Sequence, residues 1–192
     1  MKRRIGVTKN TENQKIFEGV DNELIINGEF SSLDNLDETA LNSAGLLCIK
    51  LKKNSRLPKR YQNRLEERQY EFLYIGKTKH LKKRISEQLG IESSGAFFRN
   101  IGCALGYLAK KSCLKGKSSK TSFVFSEEDE KSITKWLYEN TEWSIVKYNG
   151  EFNIKKELIE KYRPFLNRQV SKNMKLQELE DDMKKCNQIA RE

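Results

Sequence analysis

A chain of 192 residues, 36% hydrophobic and 33% charged, affords one modest core with appendages and excludes two independent cores. Its net charge of +10 is concentrated: residues 1–44 carry −3, residues 45–125 carry +14 from 19 basic and five acidic side chains, and residues 126–192 carry −1. Such a localised field favours a polyanion partner, and no apolar run approaches membrane-spanning length. The four cysteines, Cys48, Cys103, Cys113 and Cys186, form no C-x-x-C pair, which excludes a zinc knuckle or a thioredoxin-like dithiol. With a basic start and no apolar leader, they predict a reducing, cytoplasmic setting. The single histidine, His80, excludes chemistry that needs two; in its Lys-rich surroundings it reads as a solvated helix residue.

Residues 1–44 are polar and slightly acidic, and read as an N-terminal arm. Their apolar Leu24-Ile25-Ile26 runs into Asn27-Gly28, a turn signal that fits a small hairpin or an arm packed on the main domain. Gly45 to Leu51 reads as a strand. Lys52 to Arg68 is very basic, and Tyr61, Leu65 and Arg68 stand at helical spacing. A second strand at 72–76 ends on Gly76. Thr78 then suits the N-cap of a helix from Lys79 to Leu89, whose Leu81, Ile85, Gln88 and Leu89 share one face with Lys82 and Lys83 off it.

Residues 96–109 are unusually apolar and include Arg99. Lys110 to Lys120 is a Lys/Ser/Gly loop without an acid. It reads either as a mobile phosphate-touching segment or as a plain solvated loop. Ser126 and Asp129 make a capping-box start for a helix buried through Ile133, Trp136 and Leu137. Trp143 to Tyr148 is the third strand, and residues 152–162 form a helix stopped by Pro164. The tail, 173–190, spaces Leu176, Leu179, Met183, Cys186 and Ile189 as an amphipathic helix. That helix caps the domain or, as the lesser reading, recruits a protein partner.

Tyr74-Ile75-Gly76-Lys77 is followed by Leu81 and Arg84, and further on by Leu158-Ile159, Tyr162, Pro164 and Asn167. In this order and spacing the residues resemble the second half of the GIY-YIG nuclease signature and its closing element. The resemblance covers about 45–170, with 171–192 left as a C-terminal helix. The long insert between the first two strands, the Phe-Phe-Arg segment and that helix are similar to a bacterial branch of the superfamily. The implied fold is α+β, a small three-stranded antiparallel sheet flanked by helices. The implied chemistry is hydrolysis of a DNA phosphodiester with Mg²⁺ or Mn²⁺. Tyr74 would orient or deprotonate the nucleophile. Lys77 and Arg84 would be its cationic neighbours, Arg84 would face the phosphate, and Asn167 would complete the catalytic set. Lys79, Lys82, Lys83, Arg99, Lys110, Lys111, Lys115 and Lys117 are the expected nucleic-acid contacts.

Two positions depart from that pattern. Gly45-Leu46-Leu47 stands where Gly-Ile-Tyr is expected, so Leu47 replaces a tyrosine. Lys155 stands where the resemblance places the metal-binding glutamate, and an ammonium repels a divalent cation. Glu157 is turned away by about 200° on a helix. Glu151, one turn earlier if the helix reaches it, is a poor substitute ligand. Gln88 stands where many relatives have histidine. The sequence therefore supports either an active metal-dependent endonuclease or a catalytically silent DNA-binding relative that needs no cofactor and acts as a decoy, regulator or subunit of a defence or counter-defence assembly. An RNA-binding module of other descent lacks its expected aromatic strand or GXXG loop.

Overall fold

The computed structural model describes residues 4–67, 72–91, 95–118, 122–167 and 176–192. The predicted α+β architecture is present. Three antiparallel strands, β1 (Gly45–Leu51), β2 (Phe72–Thr78) and β3 (Thr141–Lys147), form a sheet in the order β2-β1-β3. The central strand alternates between two apolar layers. Leu47, Ile49 and Leu51 face one and Leu46 and Cys48 the other, all of them buried. This is why β1 reads as a continuous hydrophobic run rather than an alternating one.

The larger layer holds α3 (Lys59–Glu66), α4 (Leu81–Gln88), α5 (Ala96–Ala104), α6 (Glu127–Asn140) and α8 (Gln177–Arg191). The smaller holds α7 (Ile154–Tyr162) and the N-terminal residues as far as Phe30, whereas Leu33, Leu36 and Leu41 pack into the larger. Those N-terminal residues are not a hairpin. They form α1 (Arg4–Asp21), a π-helical turn (Asn22–Ile26) and, further on, the short α2 (Glu38–Leu41). Leu24 is fully buried against the sheet, and the buried Asp21 carboxylate accepts a hydrogen bond from Lys161 of α7 at 2.5 Å. Three successive apolar residues at 24–26 suit a helical turn pressed onto a sheet as well as a strand, and the tertiary contact decides.

Strand β2 continues two residues past Gly76, to Thr78. The N-cap position of α4 is His80, which is exposed. The Thr78 hydroxyl does cap, but it accepts from the His80 N–H before the helix begins, at 3.1 Å. The start of α4 is pinned to the strand: the Leu81 N–H donates to Ser43 O at 3.0 Å, and a Cβ on Gly45 would fall 2.6 Å from Leu81 Cδ1 and 2.3 Å from Val146 O. Glycine at 45 thus sets the close approach of α4 to the sheet.

Much of the basic insert between β1 and β2 is committed to structure. Lys52 Nζ donates to the last carbonyls of α6, Tyr138 O and Glu139 O, at 3.0 and 2.8 Å. Arg60 and Arg64 pair with Asp182 and Glu178 of α8 at 3.3 and 3.2 Å. Arg68, placed by its spacing on the same helix as Tyr61 and Leu65, lies outside the described residues.

The C-terminal helix caps the larger layer as expected. Its described part begins at Gln177, and residues 173–175 lie outside the described range. Leu179, Met183, Cys186 and Ala190 are buried; Ala190 rather than Ile189 closes the stripe. Cys186 meets Cys103 of α5, Sγ to Sγ 3.3 Å, both as free thiols. The lysine loop is fastened to this helix. Ser112 N–H and Leu114 N–H donate to Ile189 O and Ala190 O at 3.4 and 2.8 Å, and the Leu114 side chain is buried. One apolar residue among the lysines anchors the segment that composition alone reads as free.

Candidate active site at the ends of β2 and α4

Tyr74 projects from β2 onto the larger layer, where its ring packs on Phe97 of α5 with centroids 5.2 Å apart. A Cβ on Gly76 would sit 2.8 Å from Tyr74 Cε1. The glycine of the Tyr-Ile-Gly motif therefore leaves room for the tyrosine to lie back along its own strand. Burial raises the Tyr74 hydroxyl above its usual titration range. The Arg84 charge counters this, and the Glu87 charge adds to it.

Arg84, on α4, is about one-third exposed and donates through a terminal nitrogen to Glu87 Oε2 at 3.1 Å. Its Nε is buried without a hydrogen-bond partner among the described residues. Glu87 is a site residue that the sequence reading missed. Its signal was the i,i+3 spacing from Arg84 on one helix.

Lys77 does not join this group. It is three residues from Tyr74 on a strand, so it points to the opposite face of the sheet. There its Nζ donates to Gly150 O at 2.7 Å and lies 4.7 Å from the centre of the Tyr148 ring. The expectation of two cations beside Tyr74 is corrected to one, Arg84, because strand alternation and a carbonyl partner both hold Lys77 on the far face.

Asn167 is buried and fully engaged. Its Oδ1 accepts from Ile75 N–H and its Nδ2 donates to Ile75 O, both at 2.8 Å. Phe165 and Leu166 N–H donate to Phe72 O and Leu73 O on the same edge. Because β2 is an edge strand, the segment 165–167 satisfies its outward backbone. Asn167 thereby holds the residue next to Tyr74.

Lys155 stands at the second position of α7, half-buried, with its ammonium driven down from its usual value by burial and, next, by the Arg84 charge. It has no hydrogen-bond or ion-pair partner among the described residues. Leu47 is buried in the larger core opposite Gly76. Glu151 is exposed and precedes α7, which starts at Ile154 from an N-cap at Asn153, so the helical face assumed for Glu151 does not exist. Glu157 is exposed too.

Of the expected nucleic-acid contacts, Lys79, Lys82 and Lys83 are exposed beside the site, on and just before α4. Lys110, Lys111, Lys115 and Lys117 are exposed on the loop fastened to α8. Arg99 is half-buried, and burial lowers its guanidinium below its usual value. Gln88 is buried, with Oε1 lacking a partner among the described residues.

The GIY-YIG catalytic domain model matches residues 45–189. The chain belongs to the GIY-YIG family. No curated protein and no solved structure gives a match. The family match reaches into α8, so the helix that caps the larger layer falls within it. The GIY-YIG fold is of nuclease type, and no described helix is long and apolar enough to cross a membrane.

The family's divalent ion can be tested against this donor set. Lys155, where the resemblance places the carboxylate, is an ammonium, Glu151 lies off the helix, and Glu87 is tied to Arg84. Among the described residues no three His, Cys, Asp or Glu side chains gather as a metal group. Beside Tyr74 and Arg84 the described residues offer a divalent ion one carboxylate, Glu87, and it is already paired with Arg84.

Proposed function

We propose that this GIY-YIG protein binds DNA and seats a backbone phosphate at Arg84, with the Tyr74 hydroxyl beside it for phosphodiester hydrolysis. The observation that supports the reading is the one-third exposed Arg84 side chain, one helix in from Tyr74, with Lys79, Lys82 and Lys83 exposed beside it. A guanidinium presents a rigid fork matched to phosphate oxygens, and surrounding lysines hold the duplex through its charge. In hydrolysis Arg84 would stabilise the charge gathered on the phosphoryl oxygens, while Tyr74 would orient the attacking water.

The test is incubation of supercoiled plasmid with purified protein in EDTA, Mg²⁺ or Mn²⁺, with Arg84→Ala alongside. Nicking that disappears in Arg84→Ala supports hydrolysis at this site. Retardation of DNA that needs Arg84 but proceeds without nicking selects the second reading, a binding relative that works as a decoy, regulator or assembly subunit. What favours that second reading is the pair Leu47 and Lys155, an alkyl group and an ammonium at two positions of the motif. Protein that neither nicks nor retards DNA defeats both.

A further inference from the structure

The four cysteines are not equivalent in the fold. Cys48 is buried in the smaller layer, and Cys113 is partly exposed with its sulfur 4.0 Å from Val124 O. Cys103 and Cys186 meet: the Cys103 thiol donates to Cys186 Sγ at 3.3 Å, although the two stand 83 positions apart in the chain. Both are free and buried, on α5 and α8, two helices that pack directly on one another. Burial by itself says little, because a free cysteine packs as a small hydrophobe. Packing does not require that two sulfurs from such distant segments face each other. The sulfurs of a disulfide lie about 2.05 Å apart, so closing the present 3.3 Å takes roughly 1.3 Å of approach. The bond from Cys103 also holds the Cys186 thiol below its usual range, against the desolvation that raises it. That favours the thiolate, the reactive form. The same helix ties down two basic segments. Asp182 and Glu178 pair with Arg60 and Arg64 of α3, and Ile189 O and Ala190 O accept from Ser112 and Leu114 N–H of the lysine loop.

We infer that Cys103 and Cys186 form a redox-modification site, a dithiol that a peroxide closes into a disulfide and a dithiol reductant reopens, stitching α8 to α5. The inference does not depend on the DNA-binding reading above. Cys186 Sγ, as thiolate, attacks one peroxide oxygen and breaks the O–O bond. A sulfenic acid forms, and the departing hydroxide takes up the thiol proton as the first water. Cys103 Sγ then attacks the Cys186 sulfur. The S–S bond forms, the S–O bond breaks, and hydroxide leaves with the Cys103 proton as the second water. Two electrons pass from the sulfur pair to the peroxide. Because both thiols are buried, peroxide reaches them through local opening of α8, which leaves the sheet intact. Once closed, the bond holds α8 and, through its carbonyls, the lysine loop.

The experiment equilibrates the full chain with hydrogen peroxide for hours and then with dithiothreitol. Wild type is compared with Cys113→Ser, which removes the partly exposed thiol, and with Cys103→Ala and Cys186→Ala. Alkylation under denaturing conditions, proteolysis and mass spectrometry identify the linked peptides. Wild type and Cys113→Ser should give a monomer two hydrogens lighter, with the Cys103 peptide joined to the Cys186 peptide and Cys48 still open to alkylation. Dithiothreitol should restore the reduced mass. The oxidised chain should melt about 5 °C or more above the reduced one, because the bond closes a long loop in the unfolded chain. Deuterium uptake should fall in α8 and at residues 112–114 and stay unchanged in α7. Neither alanine variant should show the rise in melting temperature. Oxidised and reduced wild type differ in no side chain but this pair, so an alanine variant that fails to fold leaves the comparison intact. Two outcomes overturn the inference. One is a wild-type chain in which Cys103 and Cys186 both remain open to alkylation after peroxide. The other is a disulfide that lowers the melting temperature and speeds exchange in α8, since closure would then displace the helix it is inferred to hold.

Discussion

Asn167 and Ile75 are joined by two hydrogen bonds of 2.8 Å, side-chain amide to both backbone groups of one residue. The pairing substitutes for a fourth strand at the outer edge of β2 and fixes the stretch of backbone that carries Tyr74. Asn167→Ala would leave a buried N–H and a buried C=O unpaired, each costing about 1–3 kcal/mol. Urea unfolding should show a loss of at least 2 kcal/mol, about the smallest such sum. Equal stability of Asn167→Ala and wild type would show that water replaces the amide.

Glu87 opposes both of its neighbours. It pairs with Arg84 and raises the Tyr74 hydroxyl. Glu87→Gln should therefore lower the Tyr74 titration and tighten DNA binding several-fold at low salt, with the gain fading as salt screens the site. The checks are tyrosinate absorbance, read as the difference from a Tyr74→Phe background, and anisotropy across a salt series. Weaker binding in Glu87→Gln would mean that the carboxylate's orientation of Arg84 outweighs its charge.

Lys155 should cost the free protein stability. Its folded-state titration lies below that of an unfolded lysine, so between the two values the unfolded chain binds more protons and stability rises with pH. At neutral pH the full cost is present. Lys155→Met should stabilise the DNA-free protein by about 1 kcal/mol, or about 2–4 °C in melting temperature for a chain of this size. Scanning calorimetry is the check; a destabilised Lys155→Met would show that the ammonium is satisfied in the free state.

At the α3–α8 contact, the Tyr61 hydroxyl donates to Asp182, which also pairs with Arg60 at 3.3 Å. Burial first, then the bond to Asp182, raises the tyrosine well above its usual range. The raised value means the native state keeps a proton that the unfolded chain gives up near pH 10. The contribution is intact below about pH 10 and is lost as pH climbs towards the folded value. Melting temperature from neutral to strongly alkaline pH should fall less steeply for Tyr61→Phe than for wild type. Parallel curves would place the alkaline sensitivity elsewhere, Tyr162 being the next candidate because its hydroxyl is pushed up to about 12 by burial and then Asp21.

The sequence by itself did not mark α1, α2 or α5 as helices, but it determined the three strands, the helices α4, α6, α7 and α8 and the residues of the Tyr-Ile-Gly and Arg84 motifs. Each is written in local patterning: a run from Leu46 to Leu51 long enough for a twice-buried strand, the three-and-four spacing of α4 and α8, and the Ser126–Asp129 cap. It also marked Leu47 and Lys155 as departures. Only the tertiary structure decided what surrounds them. Lys77 and Tyr74 are three residues apart, yet strand geometry sends them to opposite faces. Asn167 and Ile75 are distant in sequence and share two hydrogen bonds because β2 is an edge. Residues 22–26 became a π-helical turn because the sheet offered a face for Leu24. Leu114 anchored a loop that its lysines made look free. In the last three cases the deciding energy lies in a contact between distant segments, and one-dimensional periodicity does not encode which distant segment will supply it.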